Sequence, residues 1–186
     1  AMIAGGVTVV EVTMTVPGAV DLLRELKQEY PGLLLGSGTV ITADEAEMTI
    51  AAGAEFVVSP SFHAAVVTRT RALGKISIPG ALTPTEAITA WRAGADFVKI
   101  FPCSAMGGAS YLKSLLAPFP HLRVIPTGGV TLQTAESFLR AGARALGVGS
   151  DLVNLAAVDD GHPETITETA RAYLKVLSET RAQMAT

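Results

Sequence analysis

Ala93-Gly-Ala-Asp-Phe-Val-Lys-Ile-Phe-Pro102 reads as the end of a helix running straight into a buried strand. Gly94 fits the position just past a helix, where a left-handed backbone favours glycine. Phe97–Ile100 is short and mostly apolar without clean alternation, the pattern of a strand covered on both faces. The same phrase recurs as Ala52-Gly-Ala-Glu-Phe56 and Ala141-Gly-Ala-Arg-Ala145. This is an internal repeat of one strand-helix unit.

Further apolar runs fill in the series: Val7–Val12, Leu33–Gly36, Phe56–Ser59, Lys75–Ile78, Phe97–Ile100, Val124–Pro126 and Ala145–Val148, starting on average 23 residues apart. Helical patterns lie between them. Ala19–Tyr30 carries Val20, Leu22, Leu23 and Leu26 on one face. Asp44–Ala52 follows the capping-box sequence Thr42-Ala-Asp-Glu45. His63–Leu73 follows Ser61, Leu132–Ala141 follows Thr131, and Pro84–Ala93 has Thr83 as N-cap with Pro84 at the first helical position. Pro163–Met184 reads as a longer amphipathic helix. Strand-helix alternation at this spacing predicts parallel strands with right-handed crossovers. The even spacing, without an early Gly-x-Gly-x-x-Gly, favours a (β/α) barrel over an open doubly wound sheet. With no linker or composition break, residues 1–186 read as one domain.

Composition narrows the class. The chain has 186 residues, 49% hydrophobic and 17% charged, with net charge -3. That is too apolar for disorder. The single cysteine, Cys103, cannot form an internal disulfide. Scattered Lys and Arg give no nucleic-acid footprint. No apolar run approaches the ~18 residues of a membrane span, and no signal-peptide pattern opens the sequence, so the expectation is a cytoplasmic protein. His63, His121 and His162 lack ligand spacing, so no metal site is expected.

Function in such a barrel gathers at the C-terminal ends of the strands. Two charged residues interrupt apolar strands there. Lys99 is flanked by Val98 and Ile100; desolvation would favour its neutral amine, the form that attacks carbonyls, while a lysine that snorkels or pairs with a carboxylate is the structural alternative. Glu11 follows Val7-Thr-Val-Val10; a buried carboxyl with raised pKa would suit proton transfer, and an ion pair with Lys99 is the alternative. Three turns rich in glycine and hydroxyls follow strands: Gly36-Ser-Gly-Thr-Val40, Pro126-Thr-Gly-Gly-Val130 and Gly147-Val-Gly-Ser150. The last two fit the late-strand loops that commonly bind phosphate in barrels. Ile78-Pro-Gly80 is sufficiently explained as a shaped turn.

Together these pieces resemble the class I aldolase family of 2-keto-3-deoxy-6-phosphogluconate (KDPG) aldolase and 4-hydroxy-2-oxoglutarate (KHG) aldolase. The matching pieces run in family order from Gly5-Gly6 and Val10-Glu-Val-Thr13, through Val58-Ser-Pro60 and Phe97-Val-Lys-Ile-Phe-Pro102, to Pro126-Thr-Gly-Gly129 and Gly149-Ser150. The resemblance implies a (β/α)₈ TIM barrel, often trimeric, that cleaves a 2-keto-4-hydroxy acid to pyruvate and an aldehyde without a cofactor or metal. It implies Lys99 as the Schiff-base lysine and Glu11 as the acid/base. It implies Thr39 at the pyruvyl carboxylate, Pro79 as a pocket-lining proline, Gly128, Gly129 and Ser150 near the substrate phosphate, and Thr127 and Gly149 among the substrate-binding residues.

Two departures accompany the match. Thr15 stands where the phosphogluconate-type enzymes commonly carry an arginine, and a hydroxyl cannot replace a guanidinium fork on an anion. A smaller or non-phosphorylated keto acid is therefore the expected substrate. Ala1–Gly6 resembles the end of the first barrel helix, so the chain is expected to lack the family's first strand and most of that helix. Alternatives from other classes are a non-catalytic phosphate-ligand binding barrel or inactive truncated homologue, and a sugar-phosphate isomerase or epimerase.

Overall fold

The structure, a computed structural model, describes residues 1–185. Two compact units arise: Thr8–Phe101, and Ala1–Val7 together with the chain from Pro102 onward.

The Thr8–Phe101 unit is a parallel α/β assembly. Strands β1 (Val9–Thr13), β2 (Leu34–Gly38), β3 (Phe56–Val58) and β4 (Ile76–Ile78) form one parallel ladder in chain order. Helices α1 (Ala19–Glu29), α2 (Ala43–Ala51), α3 (Ala64–Ala72) and α4 (Pro84–Arg92) alternate with them. The ladder breaks at Pro79, which has no N–H to donate. A short β5 (Gly80–Ala81) then pairs in parallel with β6 (Val98–Ile100). The core is built unit by unit: Val12, Leu23, Leu33 and Leu35 bury α1 against β1 and β2, and Val40, Ala46, Val57 and Val66 continue it. Such burial stabilises by about 1.5–3 kcal/mol for each large side chain.

Local signals read from the sequence hold here. Thr42 caps α2 with Glu45 returning to it, and Thr83 caps α4 with Glu86, Pro84 following it in the first turn. Gly53 and Gly94 take φ values of 112° and 98°, and Gly142 in the other unit takes 106°. The acid of the repeated phrase is structural. Glu55 pairs with Lys27 of α1 at 2.6 Å. Its counterpart Asp96 pairs with Arg71 of α3 at 2.7 Å and accepts the Ser77 N–H at 2.9 Å. These pairs are partly exposed and worth about 0–1 kcal/mol each.

The other unit contains β7 (Val124–Pro126) and helices α5 (Ala109–Leu116), α6 (Leu132–Arg140), α7 (Leu155–Asp159) and α8 (Glu164–Met184). Helix α8 packs on α6 and on the 3₁₀ turn Ile3–Gly5. Gly5 lies so close to α8 that a side chain there would overlap Ala170 and the Thr167 carbonyl.

Two expectations change. The run Ala145–Val148 is no strand; it makes one bridge, Gly147 to Thr127, because its residues are only half-buried and β7 offers just three partners. Helix α5 was not anticipated, although Leu112 and Leu115, both buried, share its inner face.

β2 carries a bare face. A side chain at Gly36 would overlap the buried Phe56 ring. Gly36→Ala must displace that ring, so a loss of about 1–3 kcal/mol in unfolding free energy is expected by denaturant titration.

Candidate active site

In the Thr8–Phe101 unit, Glu11 and Thr13 lie on the face of β1 opposite the buried Val12. The register sets Glu11 against Gly36 and Thr13 against Gly38. With no side chain at Gly38, the Glu11 carboxylate lies across β2; a Cβ on Gly38 would collide with its Oε1. The expectation of a buried Glu11 carboxyl is corrected here. Its side chain is open to solvent, yet the protein mass around it desolvates the carboxyl and raises its pKa above the ordinary value. The Lys99 charge acts on it in the opposite sense, so the two groups feel each other.

Lys99 is half-buried at the centre of β6, between buried Val98 and Ile100. Its Nζ lies 5.1 Å from the centroid of the Phe101 ring, a cation–π distance. Phe101 sits two residues on along the chain; period-two spacing could have flagged it beside Lys99. The Lys99 N–H donates to the Pro79 carbonyl at 2.9 Å. Pro79, itself buried, therefore holds the backbone that carries the lysine. A side chain at Gly80 would strike the Pro60 carbonyl, which joins the Ser59-Pro60 turn to the same place. Thr39, half-buried at the end of β2, has φ 60°, the one non-glycine residue among those described with a left-handed backbone. Such strain concentrates where function over-determines the chain. Thr15, exposed, is tied to Thr13 by a 2.8 Å hydroxyl–hydroxyl hydrogen bond.

The remaining candidates lie in the other unit. Gly128 and Gly129 take φ values of 83° and 77° after β7. The Thr127 and Gly128 carbonyls accept the N–H groups of Cys103 and Ser104 at 2.9 and 3.1 Å. A side chain at Gly129 would overlap Ser104, and one at Gly147 would overlap Thr127. Gly149 and Ser150 are exposed, and the Gly149 carbonyl accepts from Leu152 and Val153 at 3.0 Å. Cys103 is buried, and burial pushes its thiol up to about 11, which leaves it inert. Among the described residues no group of three His, Cys, Asp or Glu side chains could hold a metal, and no helix is long and apolar enough to cross a membrane.

The model of the family "KDPG and KHG aldolase" matches residues 1–169. The chain belongs to the KDPG and KHG aldolase family. Among its relatives, the 2-dehydro-3-deoxy-phosphogluconate aldolase of Treponema pallidum is 34% identical over 178 residues, 95% of this chain and 84% of that protein. The KHG/KDPG aldolase of Escherichia coli K12 is 34% identical over 172 residues, 92% and 80% of the two chains. A crystal structure of Legionella pneumophila KDPG aldolase, with pyruvate captured as a covalent carbinolamine intermediate, superposes with a TM-score of 0.86 at 32% identity, covering 92% of this chain and 84% of that one. Gly38 falls within the Gly36-Ser-Gly-Thr-Val40 turn that the sequence flags, but the room it makes for Glu11 shows only when Glu11 is seen crossing β2.

Gly38→Ala meets the far end of a flexible side chain rather than a ring. It is therefore expected to leave the unfolding midpoint nearly unchanged while turning Glu11 away. A thermal melt beside an activity assay separates it from Gly36→Ala.

Proposed function

We propose that this chain is a class I aldolase that cleaves a 2-keto-4-hydroxy acid to pyruvate and an aldehyde through a Schiff base on Lys99. The observation that carries this reading is Lys99, half-buried between Val98 and Ile100 with its backbone N–H held by the Pro79 carbonyl, in the same unit as Glu11, whose carboxyl pKa desolvation raises and the Lys99 charge lowers. A relative of the same family holds pyruvate as a carbinolamine, the first covalent adduct such a lysine forms.

The neutral Lys99 amine attacks the C2 ketone to give a carbinolamine, and loss of water gives an iminium. Glu11, directly or through a water, takes the C4 hydroxyl proton. The C3–C4 electron pair moves into the iminium, the aldehyde leaves, and an enamine remains. Protonation at C3 restores the iminium. Water adds to it and expels the lysine, releasing pyruvate. Phe101 holds the ammonium before attack, and its weak cation–π hold is released when the amine is neutral. A carboxyl whose pKa is raised above the ordinary carboxylate range returns a proton more readily than an ordinary one while still able to take it.

In this reading Thr39 holds the pyruvyl carboxylate and Pro79 lines the pocket of the Thr8–Phe101 unit, and Thr127, Gly128, Gly129, Gly149 and Ser150 of the other unit are the further substrate-binding residues we assign. The family model spans residues of both units, which supports treating the chain as one domain. The partner is a small-molecule keto acid; a homotrimer in the cytoplasm is the assembly and location we assign to it. The test is pyruvate release from a panel of 2-keto-4-hydroxy acids, read by coupled oxidation of NADH. Turnover of at least one member supports the reading; no pyruvate from any member overturns it.

A further inference from the structure

Phe56 takes no part in the steps above. It closes the Ala52-Gly-Ala-Glu-Phe56 phrase, opens β3 and is buried. In the Thr8–Phe101 unit the register sets Gly36 of β2 against Glu11 of β1 on one side and against Phe56 of β3 on the other. Gly36 and Gly38 share one face of β2, roughly 7 Å apart along the strand. Two side chains cross onto that face from opposite neighbours. The Phe56 ring fills the place that a side chain on Gly36 would take, and the Glu11 carboxylate fills the place that a side chain on Gly38 would take.

The first occupancy accounts for the second. A Glu11 stem running straight across to its registered partner would meet the ring over Gly36. It leans instead two residues toward the C-terminal end of β2. The ring is buried and rigid, whereas the glutamate stem is flexible and open to solvent, so the ring sets the limit. An apolar ring on the same strand face also removes water from one side of the carboxyl, which disfavours its charged form. Desolvation is the larger influence on Glu11, ahead of the opposing Lys99 charge. Of the elements packed on β1, β2 carries no titratable side chain, and α1, with Asp21, Arg24, Glu25, Lys27 and Glu29, packs on the Val12 face.

We propose that Phe56 is a positioning residue for the aldol step: its ring, laid over Gly36, drives the Glu11 side chain along β2 to Gly38 and shields one side of the carboxyl from water. This rests on the aldolase reading above.

The test reads the pH dependence of pyruvate release in the wild type, Phe56→Leu, Phe56→Met and the double variant Gly36→Ala/Phe56→Leu, with thermal melts beside it. Leucine vacates the place over Gly36. The kcat of Phe56→Leu is expected to fall by about tenfold to 10²-fold with KM nearly unchanged, because the acid/base is displaced and the lysine is not. The acid limb of the profile moves to lower pH, since water reaches the carboxylate and favours its charged form. In the double variant the alanine methyl refills the vacated place and returns both kcat and the limb toward the wild type. Phe56→Met, apolar and flexible, changes both in the same directions by less, and serves if the leucine variant does not fold. A merely structural Phe56 would lower the melting point and the active fraction, leave the limb in place and gain nothing from the methyl. An acid limb at the wild-type pH in the folded Phe56 variants, or one that Gly36→Ala does not return, overturns the positioning role alone, provided Lys99 still traps pyruvate under borohydride. Absence of trapping in the wild type overturns the aldolase reading and this inference with it.

Discussion

Lys99→Met and Lys99→Arg are each expected to lower pyruvate release by about 10⁴-fold or more, the scale of losing a covalent nucleophile. The two variants separate nucleophilicity from charge. Methionine fills the same volume between Val98 and Ile100 but carries no amine. Arginine keeps a cation near Phe101, yet its guanidinium stays protonated and cannot attack a ketone. If Lys99 were only a counter-ion, arginine would retain most of the activity. Steady-state kinetics on both variants, with a thermal melt to verify folding, makes the comparison. Residual activity above a few per cent in Lys99→Arg would contradict the covalent role.

Glu11→Gln is expected to cost about 10²–10⁴-fold in kcat, the usual contribution of a positioned acid/base. Lys99 should still trap pyruvate in this variant, because glutamine removes the proton carrier and leaves the amine. The pH profile gives the finer check. Desolvation raises the Glu11 carboxyl pKa above its ordinary value, so in the wild type activity falls on the acid side as that carboxylate is protonated, at a pH above the ordinary carboxylate range. In Glu11→Gln that limb disappears. Stability follows the same sign. A carboxyl whose folded pKa is raised is favourable while protonated, below its unfolded pKa. That contribution is lost as pH rises through the folded pKa. At neutral pH, then, Glu11 is held in a form the fold disfavours. Glu11→Gln is expected to melt no lower than the wild type there, while losing activity. A lower melting point together with retained activity would reverse the assignment.

Much of this architecture is legible along the chain because it is local. The Ala-Gly-Ala phrases mark helix ends, and Gly53, Gly94 and Gly142 adopt the left-handed backbone they announce. Thr42 and Thr83 cap the helices their neighbours propose. Lys99 and Glu11 stand out because each breaks an apolar strand, and both fall in the same compact unit. What escaped depends on partners distant in sequence. Ala145–Val148 has strand composition, but β7 supplies too short an edge to extend it beyond Gly147. Glu11 lies open because Gly36 and Gly38 strip side chains from the strand it crosses, a consequence of register that no single segment reveals. Asp151, in a turn, looks like any surface acid until Tyr173 of α8 is found donating to it.

The central claim is a covalent bond between Lys99 and a keto acid. Incubation with pyruvate and sodium borohydride, followed by peptide mass mapping, tests it most directly. The account predicts one reduced pyruvyl adduct, on the peptide bearing Lys99, with parallel loss of activity. Activity that survives borohydride with pyruvate, or an adduct confined to another lysine, would contradict it.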